Sequence, residues 1–344
     1  MLPKRLNVII VVVMIFTIIL TACSTEEAEK VCTILDIGGE NDRSFNEFSL
    51  KGSRDAAEDE GLEFAYIVSE AETDYEKNIQ NFVDEGCNMI VTVGFLMGDV
   101  TAAAARENPD IQFAIVDVEY SPGFGCDENL SDCYEEDLSN VTSLMFAEDE
   151  VGYLAGVLAG CMSESGVIGS VSGMEIPPVQ KFVAGYQTGA ATQNPGIETL
   201  NVYIPDFNDP STGKQAGQSM IEDGADIIFG VGGNTGNGGV LAAHEAGLLG
   251  IGVDVDQYNT YPDVASSLLT SAAKNMDVAA YDAVVAFANG ELEAGVQLGT
   301  VENEGIGLAP YHDQEGNISQ ECKDAVAAAE EGLIDGTVDT GWNP

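Results

Sequence analysis

Basic side chains and histidine are the scarcest components of this chain. Its 344 residues hold twelve Lys and Arg against 58 Asp and Glu, with histidine only at His244 and His312. A net charge of −46 argues against nucleic acid as a partner, because such a surface repels phosphate. It also suits a salty habitat, where screening shortens the range of self-repulsion. Two isolated histidines without any C-x-x-C leave no zinc-site or thioredoxin-like pattern. The Gly230–Gly239 stretch lacks G-x-x-x-x-G-K-[ST], and Thr235 stands where G-x-G-x-x-G needs its third glycine. No nucleotide-cofactor loop is therefore expected. G-x-S-x-G is missing too, so neither a metal nor a cofactor is called for.

Long apolar runs are also scarce. The longest, Val8–Leu20, follows Lys4 and Arg5 and is too short to span a bilayer stably. It predicts a secretory leader over residues 1–22. Leu20-Thr-Ala-Cys23 closes it as a lipobox similar to those of lipoproteins, in which Cys23 would carry the lipid. Residues 23–29 then form a polar tether. All 58 acids and ten of the basic residues lie beyond Cys23, so the mature chain carries about −48. Setting Cys23 aside leaves Cys32, Cys87, Cys126, Cys133, Cys161 and Cys322. Outside the membrane these permit three disulfides in fifteen connectivities. Cys126 and Cys133 bracket a short polar loop and form the best candidate pair.

What is present is alternation. Short apolar runs ending near residues 37, 68, 93, 116 and 146 read as strands, and helical stretches separate most of them. The scheme resumes with strands ending near 171, 204, 229 and 253. Such alternation predicts an α/β protein with parallel sheets covered by helices. An internal repeat supports two similar lobes. Gly86-Cys-Asn-Met-Ile-Val-Thr-Val-Gly94 matches Gly224-Ala-Asp-Ile-Ile-Phe-Gly-Val-Gly232, and the next strands end alike, in Val116-Asp117 and Val253-Asp254. Ligands of open α/β sheets bind beyond the carboxyl ends of the strands. Asp36, Gly94, Asp117, Gly232 and Asp254 stand at those ends, and two facing lobes would bring them to one cleft.

Several segments resemble the basic membrane protein family, the purine-nucleoside receptors of ABC transporters. They are Asp36-Ile-Gly-Gly39 with Asn41-Asp-Arg-Ser-Phe-Asn46, Tyr153-Leu-Ala-Gly156, Pro178-Val-Gln-Lys-Phe182 with Gly185-Tyr186, Ile251-Gly-Val-Asp-Val-Asp-Gln257 and Thr270-Ser-Ala-Ala-Lys274. They occur in the family's order and cover nearly the whole mature chain. Arg43 stands where the family usually has lysine, Glu47 where it has glutamine, and the Cys126–Cys133 loop looks like an insertion. The resemblance implies a type I periplasmic-binding-protein fold whose chain crosses three times between lobes. Residues 30–142 and 272–300 would form the first lobe, and 143–271 and 301–344 the second, with hinges near Val141, Ser271 and Gly299.

By the same resemblance, Phe45 and Phe182 would sandwich a nucleobase, flat π faces being good stacking partners. Asp254 would accept from a ribose diol, and Lys274 would donate to an oxygen and balance Asp254. Asp36, Asp117 and Asn46 would meet base or 5′-hydroxyl groups, and Gly232 would let backbone approach the ligand. Each has a plainer reading: core packing for the aromatics, a hinge salt bridge for Lys274, strand-end capping for Asp36 and Asp117, and a tight turn for Gly232. Several carboxylates with one lysine favour a neutral nucleoside over a nucleotide. The expected protein is a monomeric, lipid-anchored, extracytoplasmic receptor that hands its ligand to an ABC permease. A sensor or surface lipoprotein of the same fold for a sugar or furanoside, and a secreted nucleoside hydrolase, are the alternatives.

Overall fold

The computed structural model describes residues 29–343. The leader, Cys23 and the tether up to residue 28 lie outside them. The first half of the chain runs β1 (Lys30–Leu35), α1 (Phe45–Glu60), β2 (Glu63–Val68), α2 (Tyr75–Asp84), β3 (Met89–Val93), α3 (Gly98–Glu107) and β4 (Gln112–Val116). A small excursion follows, with β5 (Ser121–Pro122), β6 (Gly125–Cys126) and α4 (Cys133–Glu136), before β7 (Val141–Phe146). The second half runs α5 (Glu148–Met162), β8 (Val167–Ser172), α6 (Pro177–Gln193), β9 (Glu198–Tyr203), α7 (Pro210–Glu222) and β10 (Ile227–Val231). It continues through α8 (Gly233–Glu245), β11 (Leu249–Asp254), α9 (Gln257–Thr260) and β12 (Leu268–Lys274). The chain then returns with α10 (Met276–Ala288) and β13 (Gly295–Gly299), and crosses again to β14 (Ile306–Leu308) and α11 (Gln320–Ile334).

Two six-stranded sheets result, ordered β2-β1-β3-β4-β7-β13 and β9-β8-β10-β11-β12-β14. The two orders are the same, and every pair is parallel except β12 with β14. The internal repeat therefore maps onto equivalent strands, β3 with β10 and β4 with β11. Central strands such as Met-Ile-Val-Thr-Val in β3 and Ile-Ile-Phe-Gly-Val in β10 are buried throughout. Helices on both faces remove the need for alternation.

The crossings fall later than the divisions at 142/143 and 271/272. β7 pairs with β4 and β13 up to Phe146, and β12 stays in the second sheet through Lys274. Backbone pairing, which a sequence does not display, decides where each half ends.

Much of the hinge-side packing is helix on helix. In α5 the glycines at 152, 156 and 160 meet the backbone of Phe182, Tyr186 and Ala190 in α6, and Gly185 and Gly189 of α6 meet Asp149 and Tyr153 in return. A side chain at any of these positions would push the two helices apart. The Tyr153–Gly156 and Gly185–Tyr186 segments thus serve packing. The three disulfides are Cys32–Cys87, Cys126–Cys133 and Cys161–Cys322; the first two lie within the first half and the third joins α5 to α11. No helix among the described residues is long and apolar enough to cross a membrane.

Candidate functional site

Two aspartates at matched strand ends define the site. Asp117 follows β4 and Asp254 ends β11, and both have φ of 67°, a left-handed conformation that costs a residue with a Cβ about 1 kcal/mol or more. The glycines one strand away are matched as well, Gly94 at φ 116° and Gly232 at φ 92°. Their surroundings differ. A Cβ at Gly94 would lie 2.7 Å from Asp36 Oδ2, whereas one at Gly232 would lie 3.1 Å from the ring of Phe207. The first half leaves room for a carboxylate, and the second for an aromatic ring.

These ends converge on one cavity between the two halves. Asp36, Phe45, Asn46, Asp117, Phe182, Gly232, Asp254 and Lys274 all line it. Asp36 is fixed from one side: its Oδ1 accepts from Gly38 N at 2.8 Å and from Asn46 Nδ2 at 2.7 Å. Burial pushes its pKa up, and those two donors pull it partly back. Burial also raises Asp254, against the pull of the Lys274 charge. Asn46 Oδ1 is buried without a hydrogen-bond partner.

Lys274 sits at the centre of a buried charge network. Its Nζ donates to both oxygens of Asp117, at 2.9 and 2.7 Å, and to Glu148 Oε1 at 3.2 Å. Burial alone would lower its pKa, but Asp117, Glu148 and Asp254 outweigh that and raise it. The ammonium is thus held charged, and it lies 5.1, 5.0 and 5.8 Å from the ring centres of Phe45, Phe146 and Phe182. Glu148, fully buried at the start of α5, is also 3.3 Å from Lys181 Nζ.

The structure redistributes several roles. Lys274 pairs with Asp117 and Glu148 rather than with Asp254. Asp254 has no ion-pair partner among the described residues. Phe182 is 3% exposed and packs edge-on to Phe229 at 6.0 Å, so it serves the core as well as the cavity wall. Gly232 and Gly173 make the berth of Phe207. Asn46 engages one donor with Asp36.

Phe207, Phe95, Asp42 and Glu148 escaped the sequence reading. Phe95 directly follows Gly94 at a strand end, so that rule pointed to it. Phe207 stands in a loop four residues past β9 and Glu148 opens an acidic helix turn; neither position carries a local signal. Among the described residues no group of His, Cys, Asp and Glu is placed to hold a metal ion.

The profile of the family described as "ABC transporter substrate-binding protein PnrA-like" matches residues 29–337. The chain is 28% identical to "ABC transporter nucleoside-binding protein BmpA" of Lactococcus lactis, over 97% of this chain and 98% of that one. It is 31% identical to "Basic membrane protein D" of Borreliella burgdorferi, over 88% and 86%. Among solved structures, an ABC transporter solute-binding protein from Aeropyrum pernix superposes with a TM-score of 0.79 at 25% identity, covering 90% of this chain and 92% of that one. The fold is that of type I periplasmic binding proteins, and the family is one of binding proteins, not enzymes. The chain belongs to the PnrA-like ABC transporter substrate-binding proteins.

Proposed function

We propose that the protein captures a neutral nucleoside, preferentially a purine nucleoside, between its two halves and delivers it to an ABC permease. One observation carries this reading: a single cavity joins the face of Phe45, the carboxylates of Asp36 and Asp254, and an ammonium already engaged by Asp117 and Glu148. The aromatic wall suits a base. Asp254, which has no protein cation of its own, suits the paired hydroxyls of a ribose. A phosphate has no cation left to meet it, and three acidic groups would oppose it. The relative named as nucleoside-binding supports the same class.

The architecture supports binding by closure. Three chain crossings, after Phe146, Lys274 and Gly299, join two otherwise separate sheets, so the halves can swing about them. Asp36, Phe45 and Asn46 belong to one half and Phe207, Gly232 and Asp254 to the other, so a ligand contacts both only when the cleft is shut. Cys23 would hold the protein to the outer face of the membrane as a monomer, with the ligand site turned to solvent.

Titration calorimetry with inosine, guanosine, adenosine, uridine, ribose and inosine monophosphate tests the proposal. The purine nucleosides should bind most tightly and the monophosphate at least about a hundredfold more weakly, in line with unpaired buried charge. Tight binding of the monophosphate, or of ribose but no nucleoside, rejects it.

A further inference from the structure

A second set of residues spans the two halves, and of these only Asp42 also lines the cavity. The turn Asp42–Arg43–Ser44 leads into α1 from the first half. On its inner side the Asp42 carboxylate, 1% exposed, gathers the start of α1: Oδ1 accepts from Ser44 N at 3.0 Å and Glu47 N at 3.2 Å, and Oδ2 from Asn46 N at 2.8 Å. Phe45 and Asn46, which face the cavity, are held by that grip. On its outer side the same turn is gripped by the second half. Asn237 Nδ2, in α8, donates to the Asp42 carbonyl at 3.3 Å, and Thr260 Oγ1, at the end of α9, donates to the Arg43 carbonyl at 2.9 Å. The Arg43 guanidinium lies 4.5 Å from the ring centre of Tyr261 and 3.8 Å from Asp263.

The grip is itself anchored. Gln257, fully buried, donates from Nε2 to Asn237 Oδ1 at 2.8 Å, and its backbone N–H donates to Ser271 Oγ at 3.1 Å. A continuous chain of hydrogen bonds therefore runs from β12, next to the hinge, through Gln257 and Asn237 to the carbonyl of Asp42. Arg43 has φ of 63°, a conformation that needs support from its surroundings. Thr260 and Tyr261 supply it only when the halves are together.

We propose that the Asp42–Arg43 turn is the closure latch of the receptor, and that Asn237, Gln257, Thr260 and Tyr261 are positioning residues that set how long a ligand stays bound without touching it. The latch holds main-chain carbonyls, so it acts alike on every ligand that allows closure. Its acceptors lead directly to Phe45 and Asn46, so ligand contact on one side of the turn and lobe contact on the other reinforce each other. The proposal rests on the reading of the protein as a closing receptor, and the test separates the two.

Thr260→Val removes one hydroxyl at constant shape, and Arg43→Gly keeps the left-handed turn while removing the guanidinium. Neither residue lines the cavity. Stopped-flow measurement with inosine should show dissociation roughly three- to tenfold faster in each variant, the loss of about one hydrogen bond or one cation–π contact. Association should stay within about twofold, as is usual when contacts made after encounter are lost, and the order of affinities among nucleosides should not change. A pair of spin labels at Glu70→Cys and Asn208→Cys, on opposite sides of the mouth, should report a smaller short-distance fraction in both variants. Wild-type protein that takes up no inosine breaks the nucleoside reading, and the label distances of the same proteins then judge the latch by themselves. Dissociation rates and label distances unchanged in both variants overturn it.

Discussion

Asp117 and Asp254 share a backbone conformation, a place in the strand order and a cavity, yet only one has a cation of its own. Asp117 is bound at 2.7 Å by Lys274, which reaches it from the other sheet. Asp254 has only the more distant field of that lysine. The repeat supplies two equivalent carboxylates, and a single lysine on β12 ties one of them across the two halves and leaves the other without an ion-pair partner among the described residues. The same divergence appears at the glycine pair, where Gly94 makes room for Asp36 and Gly232 for Phe207. It appears again at the helix that follows the first strand of each sheet, α1 after β1 and α6 after β8. The start of α1 is held by the Asp42 carboxylate, whereas α6 opens on Pro177 and Pro178 without a side-chain cap.

Replacing the aspartates separates the two roles most sharply. Asp254→Ala should weaken inosine binding by about a hundredfold or more, the loss of two hydrogen bonds to a charged acceptor, while the melting temperature holds or rises because a buried charge has gone. Calorimetry and thermal unfolding on one sample check both halves of that statement. Asp117→Ala should instead destabilise the protein by about 3–5 kcal/mol, since it strips one partner from a buried ion pair, with binding reduced as a consequence. Equal behaviour of the two variants would dissolve the distinction. Aromatic contrasts come next. Phe45→Ala and Phe207→Ala should each reduce affinity for every base by about five- to a hundredfold, from ~1–3 kcal/mol of stacking, with adenosine and inosine affected alike. The remaining contrast concerns the helix starts. Burial pushes Asp42 up to about 7, outweighing the backbone donors from Asn46, Ser44 and Glu47. A carboxyl raised in the folded state favours folding most at low pH, and that contribution is lost as pH climbs from about 4 through 7. The melting temperature of wild-type protein should therefore fall relative to that of Asp42→Asn over this interval, and the gap should stay constant above pH 8.

Strand ends were the most legible part of the chain. The repeat around Gly94 and Gly232, with Asp117 and Asp254 beyond it, pointed to equivalent places in two sheets, because positive φ and close approach restrict which residues stand there. Partners were not legible. Lys274 meets Asp117 across 157 residues and Glu148 across 126, and nothing local marks either acid as its partner. Helices α5 and α10 left no periodic stripe, since α5 is buried nearly all round and α10 is apolar on most faces. Phe207 went unseen for a related reason: a loop aromatic becomes a wall only when two distant glycines leave it a seat. The places where the chain crosses between sheets depend on ladder pairing of the last few residues of β7 and β12, which composition does not mark.

Each of the three cystine bridges stays on its own side of the three crossings. Cys161–Cys322 reaches across 161 residues of sequence yet fastens one half to itself. An oxidising exterior can therefore harden each jaw of this clamp, against heat or protease alike, and never weld the jaws together. Covalent stiffening of each half therefore leaves the three crossings between them unconstrained by any of these bridges.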